Sequence, residues 1–247
     1  LKLTIPVTIV QQMLRLITDF DGPIMDVSER YYQVYQFCLE HTKRQDQPVR
    51  KMSKEEFWSL KRSRVPESQI GILSGLDEAQ AKEFAGLRRQ TVHTLPYMAY
   101  DQLAPGAVEA LEKVQQAGVD LVVMTMRREL ELEYAFSRGD VERFFPKDHC
   151  YLLSNDYVKT RDIDDKPLLM ERAIKELPPA SDIWMVGDTE ADILSAKKHN
   201  IKVIGVTCGI RDRAQLEQYQ PTEIVHDLRE AVDLVLSQSQ PEQILLA

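Results

Sequence analysis

The chain has 247 residues, and its 31 Lys+Arg against 39 Asp+Glu give a formal net charge of −8. With 43% hydrophobic and 28% charged residues it carries enough apolar material for a real core, which excludes intrinsic disorder and a fibrous repeat. The acidic balance argues against a general nucleic-acid binder, because phosphate backbones attract basic faces, yet it permits a small anion in a local basic pocket.

Along the chain, short apolar runs alternate with amphipathic stretches. Residues 1–12 are mildly apolar with Pro6 inside and no small-residue cleavage site, so they are expected to be an extension outside the core rather than a signal peptide. Leu14 to Thr18 reads as a strand ending at Asp19. Val27 to His41 reads as a helix with Tyr31, Val34, Tyr35, Cys38 and Leu39 on one face. Ser53 to Glu56 has the form of a capping box ahead of Phe57, Trp58 and Leu60, and Asp77 to Leu95 is a third helix. No buried strand is expected between Asp26 and Leu103, and this helical block far exceeds the ~10–12 residues a βαβ crossover needs. It is therefore expected to be an inserted subdomain, residues 27–102.

The alternation then becomes regular. Pro105 to Ala117 has Val108, Leu111 and Val114 at three-residue steps and Gly118 as its stop. Val119 to Thr125 is a strand, and Cys150 to Leu153 a weaker one. Pro167 to Leu177 reads as a helix that Pro167 suits as its first residue. Strand Ile183 to Val186 runs into Gly187-Asp188 and helix Asp192 to His199; strand Lys202 to Thr207, strand Glu223 to Val225 and helix Leu228 to Leu236 follow. Near-continuous apolar strands separated by helices predict an α/β fold, a doubly wound and mostly parallel Rossmann-like sheet made of residues 13–26 and 103–237. Ser237 to Gln243 is rich in Gln and Ser, and residues 238–247 are expected to be a loose tail. Cys38, Cys150 and Cys208 show neither a CxxC pair nor zinc spacing, so the expected compartment is a reducing cytoplasm. No apolar run approaches the ~18–20 residues that span a bilayer, so no membrane partner is expected.

Four signals carry chemistry. Asp19 and Asp21, two apart at a strand's carboxyl end, gather like charges that a hard cation such as Mg²⁺ relieves; the alternative is a plain Asp-Gly turn. Thr125 ends a strand with a hydroxyl suited to a phosphate oxygen, or simply caps a helix. Lys166 is a cation for a phosphate, or a solvated surface lysine. Asp188 and Asp192, four apart, share one side of a strand-to-helix junction, where acids also suit the helix dipole.

Their fixed order is more specific than any one of them. DFDGPIMD (Asp19 to Asp26), the Thr125 closing LVVMT, Lys166 in DDKP and GDTEAD (Gly187 to Asp192) resemble the four motifs of the haloacid dehalogenase (HAD) superfamily. The helical block resembles that family's C1 cap, and Cys208 to Val232 resembles the C-terminal stretch of phosphoglycolate-phosphatase-like members. The resemblance implies Asp19 as nucleophile and Asp21 as acid/base. It implies Mg²⁺ held by Asp19, the backbone carbonyl of Asp21 and Asp188, with Asp192 ordering the metal's surroundings. Thr125 and Lys166 would hold the phosphoryl group of a small phosphorylated metabolite, phosphoglycolate being the leading one. An acid/base carboxylate favours phosphoryl chemistry over C–halogen cleavage, since halide leaves without a proton.

Arg127 and Arg128 follow Thr125, and are expected at a helix start or on the surface rather than against an anionic substrate. Asp162, Asp164 and Asp165 form a solvated loop or tune Lys166. Lys61, Arg62 and Arg64 read as a polar helix face in preference to a reader of a second anionic group. His41, His93, His149, His199 and His226 lack metal-ligand spacing, and Trp58 and Trp184 read as packing residues. Two rival readings stay open: a phosphomutase of the β-phosphoglucomutase type, and a noncatalytic binding protein on the same fold.

Overall fold

The computed structural model describes residues 13–238, so residues 1–12 and 239–247 of the expected extension and tail lie outside the described residues. Six strands form one parallel sheet: β1 (Leu14–Thr18), β4 (Asp120–Arg128), β5 (Cys150–Leu153), β6 (Asp182–Gly187), β7 (Lys202–Val206) and β8 (Glu223–Val225), in the order β5-β4-β1-β6-β7-β8. Two further strands of two residues, β2 (Met25–Asp26) and β3 (Gln102–Leu103), pair antiparallel, Met25 with Leu103 and Asp26 with Gln102. They mark where the helical block leaves the sheet and returns to it.

The block between them comprises α1 (Ser28–Thr42), α2 (Lys54–Arg62), α3 (Glu67–Leu73), α4 (Glu78–Thr91) and the single turn α5 (Leu95–Met98). After β3 come α6 (Ala107–Gln116), α7 (Glu129–Gly139), α8 (Asp162–Glu176), α9 (Glu190–Lys197), α10 (Arg213–Glu217) and α11 (Leu228–Gln238). No helix among the described residues is long and apolar enough to cross a membrane.

The sheet is buried on both faces, which is why its strands read as unbroken apolar runs. Leu16, Val123, Val186 and Ile204 pack with Leu111, Leu132 and Val232 of α6, α7 and α11 on one face. Their neighbours Ile17, Val122, Met185 and Val203 pack with Met170, Ile193 and Leu216 of α8, α9 and α10 on the other. A third core lies within the helical block, around Tyr35, Phe57, Ile70 and Phe84. Its Tyr35 and Phe57 rings stack with centroids 4.8 Å apart.

Several elements depart from expectation. Strand β4 continues three residues past Thr125, so Arg127 lies in a strand. Helix α8 begins at Asp162 and carries Pro167 inside it. Asp162, Asp164 and Asp165 in its first turn favour the helix dipole, and a proline that early removes only one intrahelical donor. Asp165 is not solvated: buried, it accepts from the Thr160 N–H at 2.8 Å, the Thr160 hydroxyl at 2.8 Å and the Tyr157 hydroxyl at 3.1 Å. Ser53 caps α2 by accepting from the Glu56 N–H at 3.2 Å, but the Glu56 carboxylate turns to Arg50 instead of closing a box. Helix α11 takes in Ser237 and Gln238, so the helix outlasts the expected start of the tail.

Candidate active site

The strand order reverses direction at β1: β4 and β5 build outward on one side, β6 to β8 on the other. Sites in open α/β sheets form at the carboxyl ends of strands flanking such a point. A cavity of about 190 Å³ lies there, lined among others by Asp19, Asp21, Thr125, Lys166, Asp188 and Arg127, with the block's Tyr31 and Trp58 as its roof.

Asp19 follows the last residue of β1, is 7% exposed, and its Oδ1 accepts from the Phe20 N–H at 2.7 Å. Its Oδ2 lies 2.8 Å from Lys166 Nζ. Lys166, only 1% exposed, lies 2.5 Å from Asp192 Oδ1 as well. The lysine reaches the crevice because α8 crosses one face of the sheet between β5 and β6, with Leu169, Met170 and Ala173 fastening it there. The other oxygen of Asp192 accepts from the Thr189 N–H at 3.0 Å and hydroxyl at 2.7 Å, which caps α9. Both oxygens of Asp192 are therefore engaged.

Asp188 follows β6, and its Oδ2 accepts from the Ile210 N–H at 2.6 Å. Two glycines make room for it. A Cβ on Gly22, whose φ is +94°, would stand 2.5 Å from the Asp188 carboxyl carbon, and one on Gly209 would stand 2.0 Å from its Oδ2. Gly22 is thus required both by its backbone and by the close approach.

Asp19, Asp188 and Asp192 each offer an oxygen within 4.8 Å of the others. Burial pushes the Asp19 carboxyl well above its ordinary range, and the charges of Asp192 and Asp188 add to this against the pull of Lys166. Burial, with Asp192, pushes Asp188 up to about 7. Burial acts to neutralise Lys166, but Asp19 and Asp192 overcome it and hold the ammonium charged. Three buried carboxylates against one lysine leave a deficit of positive charge that a hard cation fits.

Asp21 faces a different environment. Its Oδ1 lies 2.8 Å from Arg127 Nε and 2.7 Å from Arg127 Nη2, and its Oδ2 is 3.2 Å from Arg30 Nη2. Both arginines also meet Asp101, Arg127 Nη2 at 2.6 Å and Arg30 Nε at 3.0 Å. Burial raises the affinity of Asp21 for a proton, but Arg127 and Arg30 more than offset this and hold the carboxyl below its ordinary range. Arg127 is thus a buried partner of Asp21 (2% exposed), not a surface or helix-start residue. Arg128 does precede α7 as its cap. Thr125 lines the cavity, and its hydroxyl oxygen accepts from the Arg127 N–H at 3.2 Å.

Arg30 and Asp101 escaped the sequence reading, and Arg127 was expected at a helix start or on the surface. For Arg30 a signal existed: four residues before Val34, it shares the apolar face of α1, where a charge demands a partner. The Lys61, Arg62 and Arg64 cluster is not a solvated face either. Lys61 pairs with Glu67 within the block. Arg62 Nη2 donates to the carbonyls of Thr207 at 2.8 Å and Arg211 at 3.0 Å, and Arg64 lies 3.0 Å from Glu190. These arginines clasp the block to the sheet domain. The histidines show no metal cluster among the described residues, and Trp184 is a core residue. Trp58 packs edge-on to Tyr31 over the cavity.

Comparison with known proteins agrees with this geometry. Residues 165–231 match a family model described as HAD-hydrolase-like. A phosphoglycolate phosphatase of Psychrobacter arcticus is 24% identical over 233 residues, 90% of this chain and 95% of that protein. One of Pseudomonas fluorescens is 22% identical over 65% of this chain and 58% of its own length. The alignments with the first curated relatives span about half of those proteins' length. Two solved structures share the fold. A haloacid dehalogenase-like family hydrolase from Streptococcus pneumoniae has TM-score 0.64 at 19% identity, covering 90% of this chain and 98% of that one. A predicted phosphoglycolate phosphatase from Haemophilus somnus has TM-score 0.64 at 18% identity, covering 91% and 99%. Sheet order and helical insertion are those of a HAD-type α/β fold, and the chain is similar in sequence to phosphoglycolate phosphatases.

Proposed function

We propose that the protein is a Mg²⁺-dependent phosphatase that hydrolyses a small phosphomonoester through an aspartyl-phosphate on Asp19. The observation that carries this reading is the Asp19 carboxylate itself, at the end of the central strand, beside Lys166 and Asp188 and open to a cavity also lined by Thr125. The modest cavity favours a small substrate, and the names of the curated relatives favour phosphoglycolate. The three unpaired cysteines favour a reducing cytoplasm.

In this reading Asp19 attacks phosphorus while Lys166 and Thr125 hold the phosphoryl oxygens. Lys166 also fixes the direction of the nucleophile through its contact with Asp19 Oδ2. Asp21 exchanges protons with the leaving oxygen and then with the hydrolytic water. Its two arginine partners hold it as a carboxylate at rest, so proton donation requires that clasp to loosen as substrate enters. Asp19, Asp188 and the backbone carbonyl of Asp21 are the residues that would hold Mg²⁺, with Asp192 fixing Lys166 and the α9 turn beside them. Bound there, the ion supplies positive charge that offsets repulsion between carboxylate and phosphate. The roof of Tyr31 and Trp58 excludes water from the reacting group.

The test is phosphate release from a panel of phosphoglycolate, hexose phosphates and nucleotides, with and without Mg²⁺. Asp19→Asn is expected to lose turnover while keeping its circular dichroism spectrum. An active Asp19→Asn protein refutes the assignment.

A further inference from the structure

Arg127 is anchored more thoroughly than a partner of Asp21 requires. Its Nε and Nη2 are engaged by Asp21, and Nη2 also by Asp101. Its Nη1 is buried and has no hydrogen-bond partner, although the side chain is only 2% exposed and lines the cavity. Buried N–H groups without an acceptor are costly and rare, and at a cavity wall the missing acceptor is most simply a ligand atom. The contact to Asp101 does not depend on Asp21 and keeps the guanidinium placed when the Asp21 clasp loosens, so less side-chain entropy is lost on binding.

Position defines what that ligand atom belongs to. Thr125 and Arg127 are two residues apart on β4, and both are buried while Met126 and Arg128 between and beyond them are half-buried. Both line the same cavity, in a stretch of β4 where the pairing with β5 shifts register between Met124 and Arg128. A phosphoryl group against Thr125 therefore leaves the spare N–H of Arg127 only a few bonds further along the substrate.

We propose that Arg127 is a specificity-determining residue that binds a second anionic group of the substrate, a carboxylate close to the phosphoryl ester. Arg127 would thereby favour esters that carry a carboxylate beside the phosphoryl group over neutral esters of similar size. This inference rests on the phosphatase reading above and extends it to a particular contact.

The experiment compares phosphoglycolate with ethyl phosphate, which has similar size but no carboxylate, in the Mg²⁺-loaded 247-residue protein. The wild type is expected to favour phosphoglycolate in kcat/KM by roughly 30-fold or more, the size expected for one charge-assisted hydrogen bond. Arg127→Gln should reduce that preference to within about threefold, mainly through a higher KM for phosphoglycolate. Because Arg127 also touches Asp21, both esters will slow, and the ratio rather than either rate is the readout. Arg127→Lys keeps the charge without the third planar N–H; it covers the case in which Arg127→Gln does not fold, and should lose most of the preference as well. A wild type without preference, or either folded variant with the preference intact, overturns the proposal. Absence of phosphate release from every ester by the wild type would instead sink the phosphatase reading. Calorimetric binding of phosphoglycolate and ethyl phosphate to the same proteins then decides the Arg127 contact, with retained discrimination in Arg127→Gln counting against it.

Discussion

Lys166 shows how one residue sets the character of the site. It is the sole cation within salt-bridge distance of Asp19 and Asp192 among the described residues, and it is itself almost wholly buried. Removing one member of a buried ion pair is costly because the other is left as an uncompensated buried charge, typically about 3–5 kcal/mol. Lys166→Met should therefore destabilise the metal-free protein by about that amount in urea unfolding, and abolish phosphate release. A variant as stable as the wild type would mean that the two carboxylates are neutral in the folded protein and that the lysine holds no structural charge. The candidate site residues were legible in the sequence to the extent that they follow strands: Asp19, Thr125 and Asp188 each stand at or just beyond an apolar run. Arg127 was not, because its role depends on Asp21 and Asp101, 106 and 26 residues away in sequence. No local pattern encodes that pairing.

At the level of elements, every strand of the large sheet was visible as an apolar run, since burial on both faces removes polar alternation. The short helices α3, α5 and α10 were not, having too few turns for a 3.6-residue period to stand out, and the longer α7 (Glu129–Gly139) was not drawn as a helix either. The start of α8 was misjudged because proline is common at a first helical position, whereas here the acidic first turn sets the start five residues earlier. Contacts between the helical block and the sheet domain are equally invisible to local pattern, and Arg62 is the clearest case. From the end of α2 it donates to two backbone carbonyls of the loop after β7, while Gln215 Nε2 of α10 donates back to the Arg62 carbonyl at 2.7 Å. Such a clasp holds the helical block against the sheet domain without touching the reacting atoms. Arg62→Ala should leave the melting temperature within a few degrees, speed hydrogen exchange in α2, and raise KM about three- to tenfold as closure becomes less favourable. Unchanged exchange in α2 together with an unchanged KM would show that the contact contributes nothing to closure.

For the whole molecule, the gathered carboxylates link stability to pH and to metal. Burial and Asp192 push the Asp188 carboxyl in the folded chain up to about 7 from an ordinary value of 3.8, and Asp19 is raised in the same direction. Between about pH 4 and 7 the folded protein consequently binds more protons than the unfolded one, so the stability of the metal-free protein falls as pH rises through that window. Asp21, shifted the opposite way by Arg127 and Arg30, contributes stability that is present above its ordinary value and lost only as pH falls below it. The two effects therefore act at different ends of the pH scale. A cation bound by Asp19 and Asp188 favours their ionised forms and removes the penalty at the upper end. The increment in melting temperature on adding Mg²⁺ should accordingly be small near pH 5 and grow steadily towards pH 8. Asp188→Asn should shrink the increment at every pH, because it removes both a proposed ligand and a raised carboxyl. An increment that is flat with pH, or one that survives Asp188→Asn undiminished, would place the ion elsewhere on the molecule and leave the acidic cluster held by Lys166 alone.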